Sequence, residues 1–362
     1  MTERKFDLSD ITLVPSEESD ISSRSECEVT QEFNLDKRLP LMCAPMDTVV
    51  SPNNYKSFIN NEIIPCLPRE INLDNIPIEK NHYFQAFGLH DIEKQLRNDY
   101  KDITVSTLKN DNLHEYKMLL FYNFSNVLID IANAHMSKLI LIIKEIKQRW
   151  PNIKLMVGNI GNPETFVNLG LAGVDYVRCG IGCGQGCTTS ANVSINYPMG
   201  SLISECYELR KQYNLQTKIV ADGGMKNYSD VIKILALGAD FCMCGSIFNK
   251  AIESAGFNYL YGIKINNKIA ETLWRWNFPI KKKYRGMSTK AVQRSWGKSK
   301  LVTAEGITKY QKVEYTLEQW TENFKDYLRS AMSYCNAKTL DDFIGKAEYV
   351  FITNAAFQRF NK

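Results

Sequence analysis

Residues 127–158, VLIDIANAHMSKLILIIKEIKQRWPNIKLMVG, decide the fold. Val127-Leu-Ile-Asp130 is a short apolar run ending on a carboxylate, and it reads as a buried strand. From Ser137 to Trp150 the apolar residues Leu139, Ile140, Ile142, Ile143 and Ile146 recur at helical spacing, and Pro151 closes the helix. Lys154-Leu-Met-Val-Gly158 is the next strand, and Glu164 to Leu171 the next helix. The unit then recurs. Val174 to Arg178 precedes a glycine-rich loop and a helix at Leu202 to Tyr213. Lys218 to Asp222 precedes Gly223-Gly224 and a helix at Ser229 to Leu237. Phe241 to Cys244 ends at Gly245-Ser246. Strand, polar loop and helix at intervals of ~20–25 residues are the signature of parallel βα units.

The residues with unusual chemistry follow the strands, in loops 130–135, 158–161, 180–189 and 222–224. A (β/α)8 barrel places its active site at those strand ends. A doubly wound sheet would carry a glycine fingerprint after its first strand, and none is there. The expected fold is therefore α/β, a single (β/α)8 TIM barrel spanning residues 1–362. Residues 257–312 hold Trp274, Trp276, the run Lys281-Lys282-Lys283 and many polar residues without clear periodicity. A long irregular stretch of that kind reads as a mobile active-site flap or insertion.

Composition narrows the class. With 44% hydrophobic and 23% charged residues the chain is neither disordered nor fibrous. The net charge of +4 is too weak, and on these totals too evenly spread, to argue for a nucleic-acid surface. The most apolar window, Val127 to Ile143, contains Asp130, Asn133, His135 and Lys138, which excludes a bilayer span. No apolar export segment follows Met1. The ten scattered cysteines therefore read as reduced thiols of a cytoplasmic protein, and the four histidines show no ligand spacing.

The chemistry concentrates in Gly180-Ile-Gly-Cys-Gly-Gln-Gly-Cys-Thr-Thr189. Glycines at this density let the backbone double back and expose its amides and carbonyls. Cys187, closing the loop near a helix start, has the setting of an activated nucleophile; the alternative is a plain turn with a small buried side chain. Cys183 reads as inert. Ala221-Asp-Gly-Gly224 and Cys244-Gly-Ser246 suit phosphate capture by backbone amides, or are ordinary turn glycines.

Taken together, Asp10-Ile-Thr-Leu-Val-Pro15, Ser22-Ser-Arg-Ser25, Ala44-Pro-Met-Asp-Thr-Val49, Gly158-Asn159, the Cys187 loop, Ala221 to Gly224, Gly245-Ser246 and Tyr284-Arg-Gly-Met-Ser288 resemble the inosine monophosphate dehydrogenase/guanosine monophosphate reductase family, in that family's order. The resemblance implies a barrel whose loop cysteine, Cys187, attacks C2 of a purine mononucleotide, with a nicotinamide cofactor and a homotetrameric assembly. It assigns Met46, Asp222, Gly224, Gly245, Ser246, Tyr284, Gly286, Met287 and Ser288 to the nucleotide. Asp130, Asn159, Arg178 and Gly180 fall to the cofactor. The carbonyls of Gly182, Gly184 and Cys187 match a monovalent-cation loop, with K+ as the candidate ion.

Four features favour the reductase branch, with NADPH and GMP, over NAD-dependent IMP oxidation. No Arg-Tyr dipeptide lies between Ser288 and Glu305. Asp130-Ile-Ala-Asn133 resembles the reductases' aspartate-initiated loop. The tail from Arg329-Ser330 to Asn354 resembles theirs too, and the stretch between Glu70 and His82 leaves no room for paired CBS modules. Thr189 and Glu305 match the reductase pair that positions the departing amine. The alternatives are a solvated charge at Glu305 and helix-capping hydroxyls at Thr188 and Thr189. The chain departs from the family at Pro68-Arg69-Glu70, Gln185-Gly186 and Asn196-Tyr-Pro-Met199, and its lid before Tyr284 is longer. A dehydrogenase with a divergent flap and a catalytically silent nucleotide-binding regulator are the competing readings.

Overall fold

Eight parallel strands close on themselves in a computed structural model of the chain, which describes residues 4–69, 81–98, 124–186, 188–289, 292, 294, 303 and 306–360. In chain order the barrel strands are β1 (Leu41–Cys43), β2 (Ile64–Leu67), β3 (Phe84–Phe87), β4 (Asn126–Asp130), β5 (Lys154–Ile160), β6 (Tyr176–Cys179), β7 (Lys218–Asp222) and β8 (Phe241–Cys244). Each pairs with its sequence neighbour, and β8 returns to β1 through Cys242 opposite Leu41 and Cys244 opposite Cys43. The expected (β/α)8 architecture is present. Strands β4, β5, β7 and β8 lie where their apolar runs place them. Strands β1 to β3 are three or four residues long, too short to display a period.

Period-two alternation divides the apolar residues between two cores. Met42, Ile64, Phe84, Leu128, Met156, Tyr176, Val220 and Met243 point inward and fill the barrel. Their neighbours Leu41, Val127, Ile129, Leu155, Val157 and Ile219 point outward against the helices. Phe33, from the hairpin Gln31–Phe33/Asp36–Arg38, joins the barrel interior and meets Phe84 with ring centroids 5.7 Å apart. Outside, Ser137–Arg149 buries Leu139, Ile142, Ile143 and Ile146, the stripe its spacing predicts. The longest helix among the described residues, Leu317–Tyr334, starts at a capping box of Thr316 and Gln319 and stacks Trp320 on Tyr228 at 4.9 Å.

Residues 257–312 depart from expectation. Their described part is regular: an antiparallel sheet of β9 (Asn258–Leu260), β10 (Ile263–Ile265), β11 (Lys281–Arg285) and β12 (Thr308–Lys312), in spatial order β10-β9-β11-β12, with a helix at Asn267–Arg275. Strands β11 and β12 alternate polar with polar, and β9 and β10 are three residues long, so no hydrophobic period betrays them. The inner face holds Asn258, Lys282 and Gln311, all buried. Lys282 is wholly buried and donates from Nζ to the Ser254 carbonyl. Burial, opposed by the carboxylates of Glu253 and Glu271, brings its pKa down to about 7.

A second, two-stranded pairing joins the chain's extremities. Ile11–Leu13 runs antiparallel to Tyr349–Phe351, with Ile11 opposite Phe351. Among the described residues no helix is long and apolar enough to cross a membrane.

Candidate active site

The strand ends at one mouth of the barrel carry a chain of alternating charges. Arg178, on β6, donates from Nη1 to Asp130 Oδ1 at the end of β4 (2.7 Å) and from Nη2 to Asp222 Oδ2 at the end of β7 (2.8 Å). Asn159 Nδ2 reaches the same Asp222 oxygen at 2.8 Å and the Gly180 carbonyl at 2.7 Å. Arg69, just past β2, donates from Nε to Asp130 Oδ2 at 3.0 Å and from Nη2 to the Asp130 carbonyl. Asp130, Asn159, Arg178 and Gly180 are thus brought together, and Arg178 ties them to Asp222.

Glycine makes this possible at one point. A Cβ on Gly158 would stand 2.3 Å from Arg178 Cβ, so only a bare backbone lets the β6 arginine cross in front of β5. The buried charges are held by one another. Burial alone would raise the pKa of Asp130, but the Arg178 and Arg69 guanidiniums more than offset it and hold the carboxyl below its usual range. Burial likewise opposes the charge on Arg178, and the two carboxylates overcome it and keep it protonated.

A second cluster faces the glycine-rich loop. Gly186 meets the accessory sheet: its carbonyl accepts from Ile307 N at 3.0 Å, and a Cβ on it would touch the Tyr284 ring at 3.0 Å. Gly286 packs on the same carbonyl. A Cβ on Gly245 would come within 2.9 Å of Met46 Sδ and 3.2 Å of Tyr284 Oη. Met46, Gly245, Ser246, Tyr284 and Gly286 therefore converge. Gly223 and Gly224 both adopt positive φ and lie against Gly184 and Cys183. Met287 and Ser288 follow in the turn after β11, where Ser288 is exposed.

Thr189 opens the helix Thr189–Val193. Thr188 occupies its N-cap position but makes no side-chain cap bond, which disposes of the capping role for Thr188. The Gly182 carbonyl accepts from Ser190 Oγ at 3.1 Å. Cys183, half-buried, donates to the Ile181 carbonyl. The strand cysteines Cys43, Cys66, Cys242 and Cys244 have thiol pKa values pushed up by burial, which makes them poor nucleophiles. Cys187 and Glu305 lie outside the described residues.

Two residues of the site went unread in the sequence. Arg69 was visible only as a departure from a family segment, although its place just after a strand could have flagged it. Lys309, on β12, donates to Gln185 Oε1 at 2.6 Å and sits 5.3 Å from the Tyr284 ring centre. It brings a cation to the part of the loop where the departure Gln185-Gly186 occurs.

Residues 5–361 match the family described as the IMP dehydrogenase / GMP reductase domain. An inosine-5'-monophosphate dehydrogenase of Chlorobaculum tepidum is 30% identical over 64% of this chain, a match spanning 46% of that longer protein, so the chain corresponds to about half of it. An inosine-5'-monophosphate dehydrogenase of Borreliella burgdorferi is 23% identical, covering 99% of this chain and 96% of its own. A GMP reductase of Staphylococcus carnosus is 26% identical, with 97% and 98% covered.

Proposed function

The chain belongs to the IMP dehydrogenase/GMP reductase family of oxidoreductases, and from that premise we propose that it is a GMP reductase, converting GMP to IMP and ammonia with NADPH. The observation that carries the choice is the segment between Ser288 and Glu305, which contains no Arg-Tyr pair to activate a hydrolytic water. The two chemistries part at this step. A dehydrogenase must hydrolyse its covalent intermediate, whereas a reductase must expel an amine and has no use for a hydrolytic base.

In this reading Cys187 Sγ adds to C2 of GMP. Thr189 and Glu305 deliver the proton that lets the amino group leave as ammonia, because an amine departs readily only when protonated. NADPH, when bound, supplies the hydride that C2 receives, after which the thiolate is expelled and IMP is released. Asp222 spends Oδ2 on Arg178 and Asn159, so its Oδ1 faces the ribose hydroxyls. The phosphate lies on the backbone of Gly224, Gly245, Ser246 and Gly286, with Tyr284 Oη and Met46 beside it and Met287 and Ser288 closing over the base.

The cradle fits a mononucleotide: a Cβ at Gly245 would fill the gap between Met46 and Tyr284. The cofactor side is assigned to Asp130, Asn159, Arg178 and Gly180, held by one another at the mouth, with Arg69 adding a cation there. A K+ ion on the carbonyls of Gly182, Gly184 and Cys187 would share Gly182 with Ser190 Oγ. We assign the protein to a cytoplasmic homotetramer on the same footing.

The test is spectrophotometric. Enzyme, GMP and NADPH should lose absorbance at the reduced-nicotinamide band while releasing ammonia one for one; reduction of NAD with IMP instead would make it a dehydrogenase. Cys187→Ala should abolish turnover while GMP still binds by calorimetry. Residual turnover in that variant would falsify the covalent scheme.

A further inference from the structure

The totals of 44 basic and 40 acidic residues conceal an uneven distribution. Residues 257–312 contain thirteen of the basic residues and two of the acidic ones, Glu271 and Glu305, so this stretch carries +11 and the rest of the chain −7. The even spread expected from the totals does not hold: the positive charge is gathered in one stretch of the chain.

Five of these basic residues, Lys264, Lys281, Lys283, Arg285 and Lys312, stand on one face of the accessory sheet. Cross-strand partners share a face, and Lys264, Tyr259, Lys281 and Lys312 are paired in one row across all four strands. Lys283 with Tyr310, and Arg285 with Thr308, form two further rows on the same outer face. With strands about 4.8 Å apart the first row is about 14 Å long. Lys264, Lys281, Lys312 and Tyr310 are exposed, Tyr310 at 53%. Among the described residues no carboxylate pairs with Lys264, Lys281, Lys283 or Lys312; on this face only Arg285 has an acidic partner, Asp47. The rings of Tyr259 and Tyr310 meet edge to face at 5.0 Å. Phe257, exposed, carries Lys264 Nζ 3.4 Å above its ring and lines a pocket with Lys283, Arg285, Asp47 and Thr48.

Like charges set side by side on a sheet repel one another, so the free protein gains nothing from this row. A polyanion would relieve the repulsion, and the interleaved rings offer π-faces that bases can stack on. Cationic rows with exposed aromatics between them are what a single strand needs, since its phosphates and unstacked bases can be held at once. An acidic protein surface would neutralise the lysines but leave the ring faces unused.

We propose that the outer face of the accessory sheet binds single-stranded nucleic acid, with phosphates on Lys264, Lys281, Lys283 and Lys312 and bases stacked on Tyr310, Tyr259 and Phe257. The proposal does not depend on which reaction the barrel performs.

The full-length protein is titrated into labelled single-stranded RNA and DNA of about a dozen nucleotides, read by fluorescence anisotropy between about 50 and 200 mM salt. Binding should weaken with salt by about 0.7 log units per log unit of salt for each phosphate held, a total slope of about two to three. The double variant Lys281→Glu/Lys312→Glu should lower affinity at least about tenfold and flatten that slope. Tyr310→Ala should lower affinity roughly five- to a hundredfold with the slope unchanged. Near-UV circular dichroism matching the wild type shows that each variant is folded. Three results overturn the proposal: no binding at the lowest salt, variants that bind like the wild type, or base-free polyphosphate competing as well as RNA. A fourth would be that the charge reversal dissociates the protein's own oligomer in sedimentation while the wild type binds no strand, which would make the face a contact between copies.

Discussion

The barrel mouth and the outer face of the accessory sheet both concentrate charge, and they treat it in opposite ways. At the mouth each guanidinium has a carboxylate: Arg178 lies between Asp130 and Asp222, and Arg69 sits on Asp130. On the sheet the lysines of one row are flanked by one another and by aromatic rings, and no carboxylate among the described residues pairs with them. The difference follows from solvent. A buried charge without a partner is costly, so the mouth can hold ions only as a closed network that fixes their geometry. Exposed cations cost little because water screens them, and they remain open to a partner. Paired charge builds position, and unpaired charge offers attraction.

Breaking the network should have the largest effect. Arg178→Met leaves Asp222 with no guanidinium and Asp130 with Arg69 alone, and should cost about 3–5 kcal/mol in urea unfolding, with loss of turnover. The acid limb should move as well. Because the Asp130 pKa is lowered in the folded state, its stabilisation is complete above the ordinary carboxylate pKa of about 4 and disappears as pH falls through the folded value. Without Arg178 the folded pKa moves up, so this pH-dependent stabilisation should shrink. Next is Gly158→Ala, whose Cβ would collide with Arg178; overpacking of this kind costs about 1–3 kcal/mol, read as a lower denaturation midpoint at unchanged slope.

Lys282 belongs to the accessory sheet but lies on its buried face, and it sharpens the contrast. Its folded pKa of about 7 is below the ordinary lysine value, so between the two the unfolded chain binds the extra proton and stability rises with pH. The slope should approach about 1.4 kcal/mol per pH unit and vanish in Lys282→Met. The smallest effect belongs to the outer face. Lys281→Glu/Lys312→Glu should change unfolding free energy by no more than about 0.5 kcal/mol per site, which separates binding charge from structural charge.

How much of this was legible depended on whether hydrophobic period and local chemistry coincided. Strands β4 to β8 announce themselves because apolar runs end in glycine or aspartate at the strand tips. The glycines at 158, 180, 223 and 245 mark real close approaches, and Gly224 a positive φ. Strands β1 to β3, β9 and β10 escaped because three or four residues define no period, and β11 and β12 because their buried face is polar. Arg69 and Lys309 escaped for a different reason: each reaches the site across a strand boundary, and such a contact exists only after closure. The uneven charge lay in the sequence all along, hidden by a sum over the whole chain.

The pairing of Ile11–Leu13 with Tyr349–Phe351 joins positions 340 apart. No contact described above closes a longer loop, so it is the last that a folding chain gains much by making. A contact absent from the folding transition state slows unfolding without hastening folding. If the clasp closes after that transition state, cutting it should speed unfolding and leave the folding rate alone.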